Sequence, residues 1–459
     1  MQYRFRRLVF GLTSSPAILN GTIEHHLSHY KEPEPQVSEL LANSSYVDKF
    51  PGGGSDEESA IHVYQRAKAI MKEGGFNLHK WKTNSSIVWQ RISEEMKEED
   101  DKSEVKILGL NWDTMRDELR FEFFSVNSLP PTKRSVLNLS AKLFNPLGLL
   151  SPFVMNMKIW FQNLCVDKVN WDDRLEGTML AKWNHHFNEF SSLAKLNIPR
   201  CYFVREKKPV CRQLHGLSDA SDQAIAVVVY LRTVYEAGDV DVRLFASKTK
   251  VAPPKKQSIP RLELIGTYIL SKLVDTVCNE FKSLPFEVDV YDWVDLFTTL
   301  CWIKNHGPWK QYVQHRVDVI RKLTDIEKWR FCPGNMNPAD IPSRGCSGKD
   351  LVELRELWWS GPTFLREPSN LWPETPSISA PNTTSEELVK HTPALTQLLA
   401  TAALNRTLYE NLEEIMDVER YGSKLKLLRV TAYVLKFILL LRGNRSVVQH
   451  LIPLEVNHS

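Results

Sequence analysis

Four acidic residues occupy positions from which their side chains can meet at one edge of a β-sheet. Asp219 ends a strand in LSDAS, Glu263 lies in the first turn of a helix in IPRLEL, Asp295 follows a strand, and Asp340 precedes a helix in GNMNPADIPSRG. Convergent carboxylates repel one another unless a cation neutralises them. Hard oxygen ligands favour Mg²⁺ or Mn²⁺, and two such ions about 4 Å apart can activate a water and stabilise the leaving oxygen of a phosphodiester. The four residues therefore predict a two-metal hydrolase site.

Two alternatives to this interpretation stay open at the level of sequence. A single Asp or Glu is more often a helix cap or a solvated surface charge, and the chain holds 55 acidic residues. Asp292 competes with Asp295, because the register of the strand decides which of the two side chains faces the site. The chain order of the four acids and the types of element that carry them favour a shared site.

The elements that must position these acids are predicted from residue 212 onward. Three β-rich runs, LHGLSDAS, IAVVVYLRTVY and VRLFASKTK, follow one another with turns between them. Helices and strands then alternate, with a helix from Pro260 to Phe281, a strand from Phe286 to Tyr291, a helix from Thr298 to Lys304 and a strand from Trp329 to Cys332. This order predicts a mixed α/β sheet.

The rest of the chain shows three further patterns. An alternating segment up to Phe10 is followed by a helix from Ala17 to Leu27, and Val105 to Phe124 has the pattern of a hairpin. Residues 132–200 are mainly helical, with a Pro/Gly corner at 145–148. Residues 366–392 have the composition of a linker, and the pattern from Ser423 to Leu441 predicts an amphipathic helix.

Composition excludes several classes of protein. The formal charge of +3 is too small to indicate nucleic-acid binding, so any basic footprint must be local. Seven scattered cysteines without a C-x-x-C pair argue against a disulfide framework or a zinc site. The longest late apolar run is far shorter than the ~20 residues of a membrane span, and Gly11 to Pro16 interrupt the N-terminal apolar run, which argues against a signal peptide.

These motifs resemble those of BEL/Pao-type retrotransposon Pol polyproteins. LSDAS, IPRLEL, the Asp295 to Trp302 spacing and NPADIPSRG resemble the RNase H-like domain. YRFRRLVFGLTSSP resembles the reverse-transcriptase segment before the catalytic hairpin, and FNPLGLLSP resembles the link between polymerase and nuclease. ELWWSGP and LLRVTAYVLKF resemble the run-up to the integrase. Similar segments are also known as the Pao retrotransposon peptidase family.

The resemblance implies an α/β (α+β multidomain) chain of four regions. They are a partial reverse-transcriptase palm with a hairpin at 1–125, a helical thumb- or connection-like region at 126–210, an RNase H-like domain at 211–346, and a linker with a helical run-up to an integrase at 347–459. It implies a nuclease that hydrolyses RNA in RNA/DNA hybrids with two Mg²⁺ or Mn²⁺ ions. The location implied is cytoplasmic, in a virus-like particle for an intact element, with the integrase of the polyprotein as a further partner and no membrane.

Departures from the family pattern concern the polymerase part. Tyr46, Val47, Asp48 and Lys49 stand where the family has Tyr-Val-Asp-Asp, so a cation replaces the second carboxylate. The region expected to carry the first metal-binding Asp precedes this sequence, and polymerase activity is not expected. Asn145 and Leu296 stand where the family usually has Asp and Ser. His450 and His458 have no cysteine pair, so they do not predict a zinc site.

Two groups of residues are candidates for nucleic-acid contact. By resemblance, a template or primer would lie near Phe10, Gly11, Ser15 and Pro16. A phosphate backbone could follow the basic residues Lys248, Lys250, Lys255 and Lys256. The alternative for the first group is that these residues only form a strand–turn–helix junction. The alternative for the second group is a solvated loop.

Three functions compete at this stage. The first is a metal-dependent ribonuclease H, the second a non-catalytic nucleic-acid-binding remnant, and the third an aspartic peptidase. Pepsin-type peptidases need two aspartates in D-[ST]-G loops. The chain contains neither D-T-G nor D-S-G, and Ala220 follows Asp219. The sequence thus favours the nuclease.

Overall fold

The computed structural model describes residues 8–377, except 10, 46–48, 97–103, 108, 122–128, 204–206, 283–285, 306, 308 and 354–355, and also describes residue 387. The chain divides into one unit of residues 1–307 and 311–385 and a second of 308–310 and 386–459. The fold given below is that of the first unit. Phe10, Tyr46, Val47, Asp48 and the predicted helix from Ser423 to Leu441 lie outside the described residues.

The N-terminal part is helical. Its helices are α1 Ser15–Ser28, α2 Pro35–Ser44, α3 Glu57–Glu73 and α4 Ser86–Met96. Apolar residues at helical spacing bury one face of each of the first three helices in a small shared core that includes Leu27, Leu41 and Ile70. The predicted helix from Ala17 to Leu27 is confirmed as α1, whereas α2 and α4 were not predicted.

A small antiparallel sheet follows. Its strands are β1 Glu104–Ile107, β2 Leu110–Asp113, β3 Glu118–Arg120 and β4 Ile198–Pro199, in that order across the sheet. The predicted simple hairpin from Val105 to Phe124 is wrong in detail, because its first run is broken into two strands. Gly109 has a φ of +86°, a left-handed conformation that turns the chain back on itself there.

Three helices connect this sheet to the next one. They are α5 Lys133–Lys142, α6 Ser151–Val166 and α7 Gly177–Leu193. The predicted corner at 145–148, before α6, packs on the large sheet through Ser247. The backbone N–H of Ser247 donates to the Leu147 carbonyl oxygen at 2.8 Å, and the Ser247 hydroxyl donates to the Gly148 carbonyl oxygen at 2.6 Å. Gly148 has a φ of +75°, and a Cβ there would collide with the Ser247 backbone. Glycine at this corner thus permits the close approach.

The large sheet has five strands. They are β5 Pro209–Ala220, β6 Ala224–Tyr235, β7 Val240–Val251, β8 Asp289–Val294 and β9 Trp329–Phe331. The order across the sheet is β7-β6-β5-β8-β9; the first three strands are antiparallel neighbours, whereas β8 runs parallel to β5 and β9 parallel to β8. The predicted mixed α/β class is confirmed.

Three helices accompany the parallel strands. They are α8 Ile259–Phe281, α9 Phe297–Lys304 and α10 Gln311–Leu323. Helix α8 packs against β5 and β6, and α10 packs against α8. Helix α10 was not predicted, and β8 lies three residues later than the predicted strand from Phe286 to Tyr291.

The chain after β9 packs back on the sheet as short helices. These are α11 Asp340–Arg344, α12 Gly348–Glu353 and α13 Leu357–Ser360, with single 3₁₀ turns among them. Trp358 and Leu365 are fully buried in the same hydrophobic cluster as residues of α5, α6, β5 and β6. None of the helices in the described part of the chain is long and apolar enough to span a bilayer.

Candidate active site

Sheet topology brings two of the predicted acids together. Strands β5 and β8 are parallel neighbours with Ser218 opposite Val294. Asp219 and Asp295 each follow one residue later, and parallel strands end at the same edge of a sheet. The strand register therefore places both carboxyl groups at one edge.

Helix α8 supplies the third carboxyl group. It approaches β5 closely at Gly266, where an added Cβ would lie 3.8 Å from the Asp219 carbonyl oxygen. Glu263, one turn earlier in the helix, accepts a hydrogen bond from the backbone N–H of Ala220 through Oε1 at 2.8 Å. Carboxylate oxygens of Asp219, Glu263 and Asp295 all lie within 4.8 Å of one another. These three residues form the carboxylate cluster.

Burial raises the free-energy cost of holding negative charges in the carboxylate cluster. Asp219 is 7% exposed and Glu263 is 3% exposed. Burial, and then the charges of Asp295 and Asp219, hold the pKa of Glu263 well above its usual range. Burial together with the Asp219 charge raises the pKa of Asp295 to about 7, and burial also raises the pKa of Asp219. The cluster therefore binds protons readily when no other cation is present.

The donor set fits a divalent cation. Three carboxylates supply hard oxygen ligands of the kind that Mg²⁺ and Mn²⁺ prefer. Among the described residues, Oε2 of Glu263 is buried without a hydrogen-bond partner. A buried carboxylate oxygen without a partner is costly unless something else satisfies it. A cation among these oxygens would neutralise the charges and occupy that acceptor.

The Asp292 side chain lies beside Gly216 and helix α8, away from the carboxylate cluster. It is 1% exposed, and a Cβ added to Gly216 would lie 2.7 Å from its Oδ1 and close to the Leu270 and Val274 side chains of α8. The position of β8, from Asp289 to Val294, thus leaves Asp292 within the strand and Asp295 just after it. Asp292 is not a member of the carboxylate cluster.

Asp340, the fourth predicted acid, is also outside the carboxylate cluster. It begins α11, its side chain is 36% exposed, and its Oδ1 lies 2.6 Å from Nε of Arg344. Its negative charge raises the pKa of both Asp219 and Glu263. Asp340 therefore affects the carboxylate cluster through its charge, while its own carboxylate is paired with Arg344.

Two further polar residues of NPADIPSRG hold the carboxylate cluster in place. The fully buried hydroxyl of Ser343 donates to Oδ2 of Asp219. The side-chain amide of Asn337 donates to the Ser218 carbonyl oxygen at 2.8 Å and also hydrogen-bonds the Asp295 carboxyl group. The sequence analysis missed both residues, although their position on either side of Asp340 in the motif could have indicated them.

The residues predicted to contact nucleic acid are found in different environments. Lys248 and Lys250, on β7, are exposed, as are Lys255 and Lys256 in the segment before α8. Gly11 and Pro16 are exposed, but Ser15 is buried and its hydroxyl donates to the Val9 carbonyl oxygen at 2.6 Å. Nζ of Lys49 donates to the Lys106 carbonyl oxygen at 2.8 Å. The structure leaves the four lysines of 248–256 accessible to a ligand, while Ser15 is occupied within its own loop.

Comparison with known families agrees with the motifs. Residues 132–295 match the family model of the Pao retrotransposon-like RNaseH-like domain. The match includes Asp219, Glu263 and Asp295 and also the three helices that precede the large sheet. The resemblance predicted from the sequence is confirmed for this region.

Solved structures also show similarity to the chain. The chain is similar to the foamy viral protease-reverse transcriptase in complex with dsDNA, with 14% identity and a TM-score of 0.18. The similarity covers 71% of this chain and 60% of the foamy viral chain. No curated protein matches the chain.

Proposed function

We propose that this chain carries a metal-dependent ribonuclease H, which hydrolyses the RNA strand of an RNA/DNA hybrid. The observation that carries the proposal is the carboxylate cluster, with three acids within 4.8 Å at the edge of a sheet. The match of residues 132–295 to an RNaseH-like family supports the same reaction class. The basic residues from Lys248 to Lys256 are proposed to contact the phosphate backbone.

The roles proposed for the acids follow from their surroundings. Two Mg²⁺ or Mn²⁺ ions, when bound, supply an activated water and neutralise charge on the leaving oxygen of the phosphodiester. Asp219, Glu263 and Asp295 would supply the carboxylate ligands that hold the ions. Asp340 would help to hold an ion after release from Arg344. Ser343 and Asn337 keep the carboxyl groups of Asp219 and Asp295 in place.

The polymerase part is proposed to be inactive. Polymerase chemistry needs two palm carboxylates to hold two metal ions against the triphosphate. Lys49 stands at the position of the second carboxylate and places a cation beside Asp48 in the sequence. In an intact element, the remainder of the Pol polyprotein, including an integrase, would accompany this chain in a cytoplasmic particle.

A cleavage assay tests the proposed nuclease. The full chain is incubated with an end-labelled RNA/DNA hybrid in Mg²⁺, in Mn²⁺ and in EDTA, beside all-DNA and all-RNA duplexes. We expect cleavage of the RNA strand in the hybrid only, and only with a metal ion. Binding of the hybrid without cleavage in any metal would contradict the proposal and favour a non-catalytic nucleic-acid-binding remnant.

One observation bears on the peptidase alternative. The carboxyl groups of Asp219 and Asp295 are hydrogen-bonded to each other, and a proton shared by two aspartates is also the arrangement of aspartic peptidases. The same arrangement arises in any crowded carboxylate cluster that lacks a metal ion. Self-cleavage of the chain that resists EDTA and is lost on Asp219→Asn would favour the peptidase over the nuclease.

A further inference from the structure

Helix α11 is too short to hold its own position. It has five residues, and isolated helices shorter than about 12 residues are marginal in water. It nevertheless carries Ser343, whose hydroxyl donates to Oδ2 of Asp219. A serine hydroxyl has a single hydrogen to donate, so a shift of α11 would leave the Asp219 carboxyl group without this partner. Contacts outside α11 are therefore needed to fix it.

Helix α6 holds the residues that directly follow α11. The backbone N–H of Cys346 donates to the Pro152 carbonyl oxygen at 3.2 Å. Gly345 has a φ of +75° and a ψ of 154°, a backbone conformation that is essentially restricted to glycine. A Cβ added at Gly345 would lie 3.0 Å from the Asn156 Cβ and 3.2 Å from its Cα. Glycine thus lets the backbone after α11 lie directly against α6.

Helix α7 holds the same turn through a buried carboxyl group. Oε2 of Glu189 accepts a hydrogen bond from the backbone N–H of Gly348 at 3.0 Å. A Cβ added at Gly348 would lie 2.7 Å from the Glu189 carbonyl oxygen, so the two backbones also approach closely. The other carboxylate oxygen of Glu189, Oε1, lies 3.4 Å from Nε2 of the exposed His185. Residues 345–348 are called the clamped turn below.

We propose that Glu189 and Gly345 are positioning residues of the nuclease, which act on the carboxylate cluster through the clamped turn and Ser343. The clamped turn begins two residues after Ser343, so its release from α6 and α7 would free α11 to move away from Asp219. Loss of a hydrogen-bond partner of a metal ligand typically lowers metal affinity or activity by about 10–100-fold. This inference rests on the proposed nuclease function and adds two helices that precede the sheet to the support of its active site.

The affinity of the full chain for Mn²⁺, measured by isothermal titration calorimetry, tests the role of Glu189. Glu189→Ala removes the acceptor for the Gly348 N–H, and we expect about three- to tenfold weaker Mn²⁺ binding. Glu189→Gln keeps an acceptor oxygen without the charge and should stay within about twofold of wild type. His185→Ala, which removes the other partner of Glu189, should also leave the affinity unchanged. Ser343→Ala, the direct loss at Asp219, should weaken binding by about tenfold.

Gly345→Ala tests the contact with α6, and Gly361 offers a matched control. Gly361 has a φ of +68° and a ψ of 179°, and a Cβ added there would lie 3.2 Å from the side chains of Tyr230 and Val242. Alanine is therefore strained and crowded at both glycines, and both variants should melt at a lower temperature than wild type. Only Gly345→Ala should weaken Mn²⁺ binding, again by about three- to tenfold.

Hydrogen exchange in EDTA measures the position of α11 without a metal ion. In Glu189→Ala and Gly345→Ala, we expect faster exchange in residues 340–348 and unchanged exchange in α10. Where the wild-type chain cleaves the hybrid, kcat of these two variants should fall about three- to tenfold, with KM within about twofold of wild type, because the groups that contact the hybrid are unchanged.

The outcomes separate this inference from the proposed function. Wild-type Mn²⁺ affinity in both Glu189→Ala and Gly345→Ala would overturn it, even if the wild-type chain cleaves the hybrid. An equal loss of affinity in Gly361→Ala would overturn it too, because the effect would then be a general loss of stability. Weaker Mn²⁺ binding and faster exchange of α11 in Glu189→Ala and Gly345→Ala alone support the positioning role, even where the wild-type chain fails to cleave and the nuclease proposal is abandoned.

Discussion

Asp292 and Asp295 show how neighbours decide the role of a carboxyl group. They are three residues apart, and the pKa of each is raised to about 7, by burial alone for Asp292 and by burial together with the Asp219 charge for Asp295. Asp295 faces two other carboxyl groups, whereas Asp292 faces Gly216 and apolar side chains of α8. Asp292 therefore shares no site with other carboxyl groups, so we expect it to keep its proton until the pH approaches about 7 and to play no part in catalysis.

A titration of stability tests this view of Asp292. A folded-state pKa of about 7 lies above the unfolded value of about 3.9, so the folded state holds the proton more tightly. The stability that this proton contributes is complete below the unfolded pKa and is lost as pH rises to about 7. Asp292→Asn cannot lose a proton, and its melting temperature in EDTA should fall less between pH 5 and pH 8 than that of wild type. An equal fall in both proteins would contradict the assignment.

We expect Arg344 to compete with metal ions for Asp340. The pair is close, at 2.6 Å, but the Arg344 side chain is 73% exposed, and exposed pairs contribute only about 0.2–1 kcal/mol. Arg344→Gln should therefore lower the Mg²⁺ concentration for half-maximal cleavage by roughly two- to fivefold. Lys349→Gln removes a charge from another exposed i,i+4 pair, with Glu353, and should leave the Mg²⁺ dependence unchanged. A higher Mg²⁺ requirement in Arg344→Gln would contradict this role.

At the scale of elements, the segment after β9 is part of the fold of the large sheet. Trp358 is fully buried; its indole N–H donates to the Leu149 carbonyl oxygen at 3.0 Å, and its own carbonyl oxygen accepts from the Tyr230 hydroxyl at 2.8 Å. Arg232 of β6 donates to the Leu365 carbonyl oxygen at 2.6 Å. These contacts join the segment to both the helical region and the sheet.

Replacement of Trp358 tests that assignment. Trp358→Ala removes a fully buried indole and should lower the free energy of unfolding by about 3–5 kcal/mol. Trp171, which is 44% exposed, supplies the control, and Trp171→Ala should cost less than about 1 kcal/mol. Denaturant unfolding of the full chain measures both. Equal, small losses would show that the segment after β9 is not needed for stability.

Two elements, α8 and β8, show how far the sequence predicts the structure. The periodicity from Pro260 to Phe281 predicts α8 within one residue at its start, since a long amphipathic pattern with Pro near its beginning is distinctive. The sequence predicts the strand before Asp295 at 286–291 instead of 289–294, because apolar alternation alone does not fix the register against β5. That register separates Asp292 from Asp295, so the sequence alone does not decide which of them is the third carboxylate.

Other parts of the site depend on tertiary contacts that no local pattern contains. The buried hydroxyl of Ser343 reaches Asp219 across 124 residues, and the Asn337 amide reaches Ser218 across 119. The contacts of α6 and α7 with the clamped turn are equally non-local. Residue types and their order indicated three acids that do meet, while the groups that position them required the fold.

At the scale of the whole molecule, packing crosses the regions suggested by the sequence. One hydrophobic cluster contains Val136 and Trp160 from the region predicted at 126–210, Leu217 from the region at 211–346, and Trp358 beyond it. The match to the RNaseH-like family begins at residue 132 and thus also includes the helices before the sheet. We propose that α5–α7, the five-stranded sheet and the segment after β9 fold together and hold the carboxylate cluster as one unit.

The measurement that tests the nuclease most directly is the rate of Mg²⁺-dependent hybrid cleavage by Asp219→Asn beside Asp222→Asn. Both changes replace one carboxyl group by an amide in the β5–β6 hairpin, but Asp222 is exposed, whereas Asp219 belongs to the carboxylate cluster. We predict that Asp219→Asn abolishes cleavage and keeps hybrid binding, because backbone contacts come from Lys and Arg, and that Asp222→Asn cleaves at the wild-type rate. Cleavage by Asp219→Asn at the rate of Asp222→Asn would contradict the assignment of the active site.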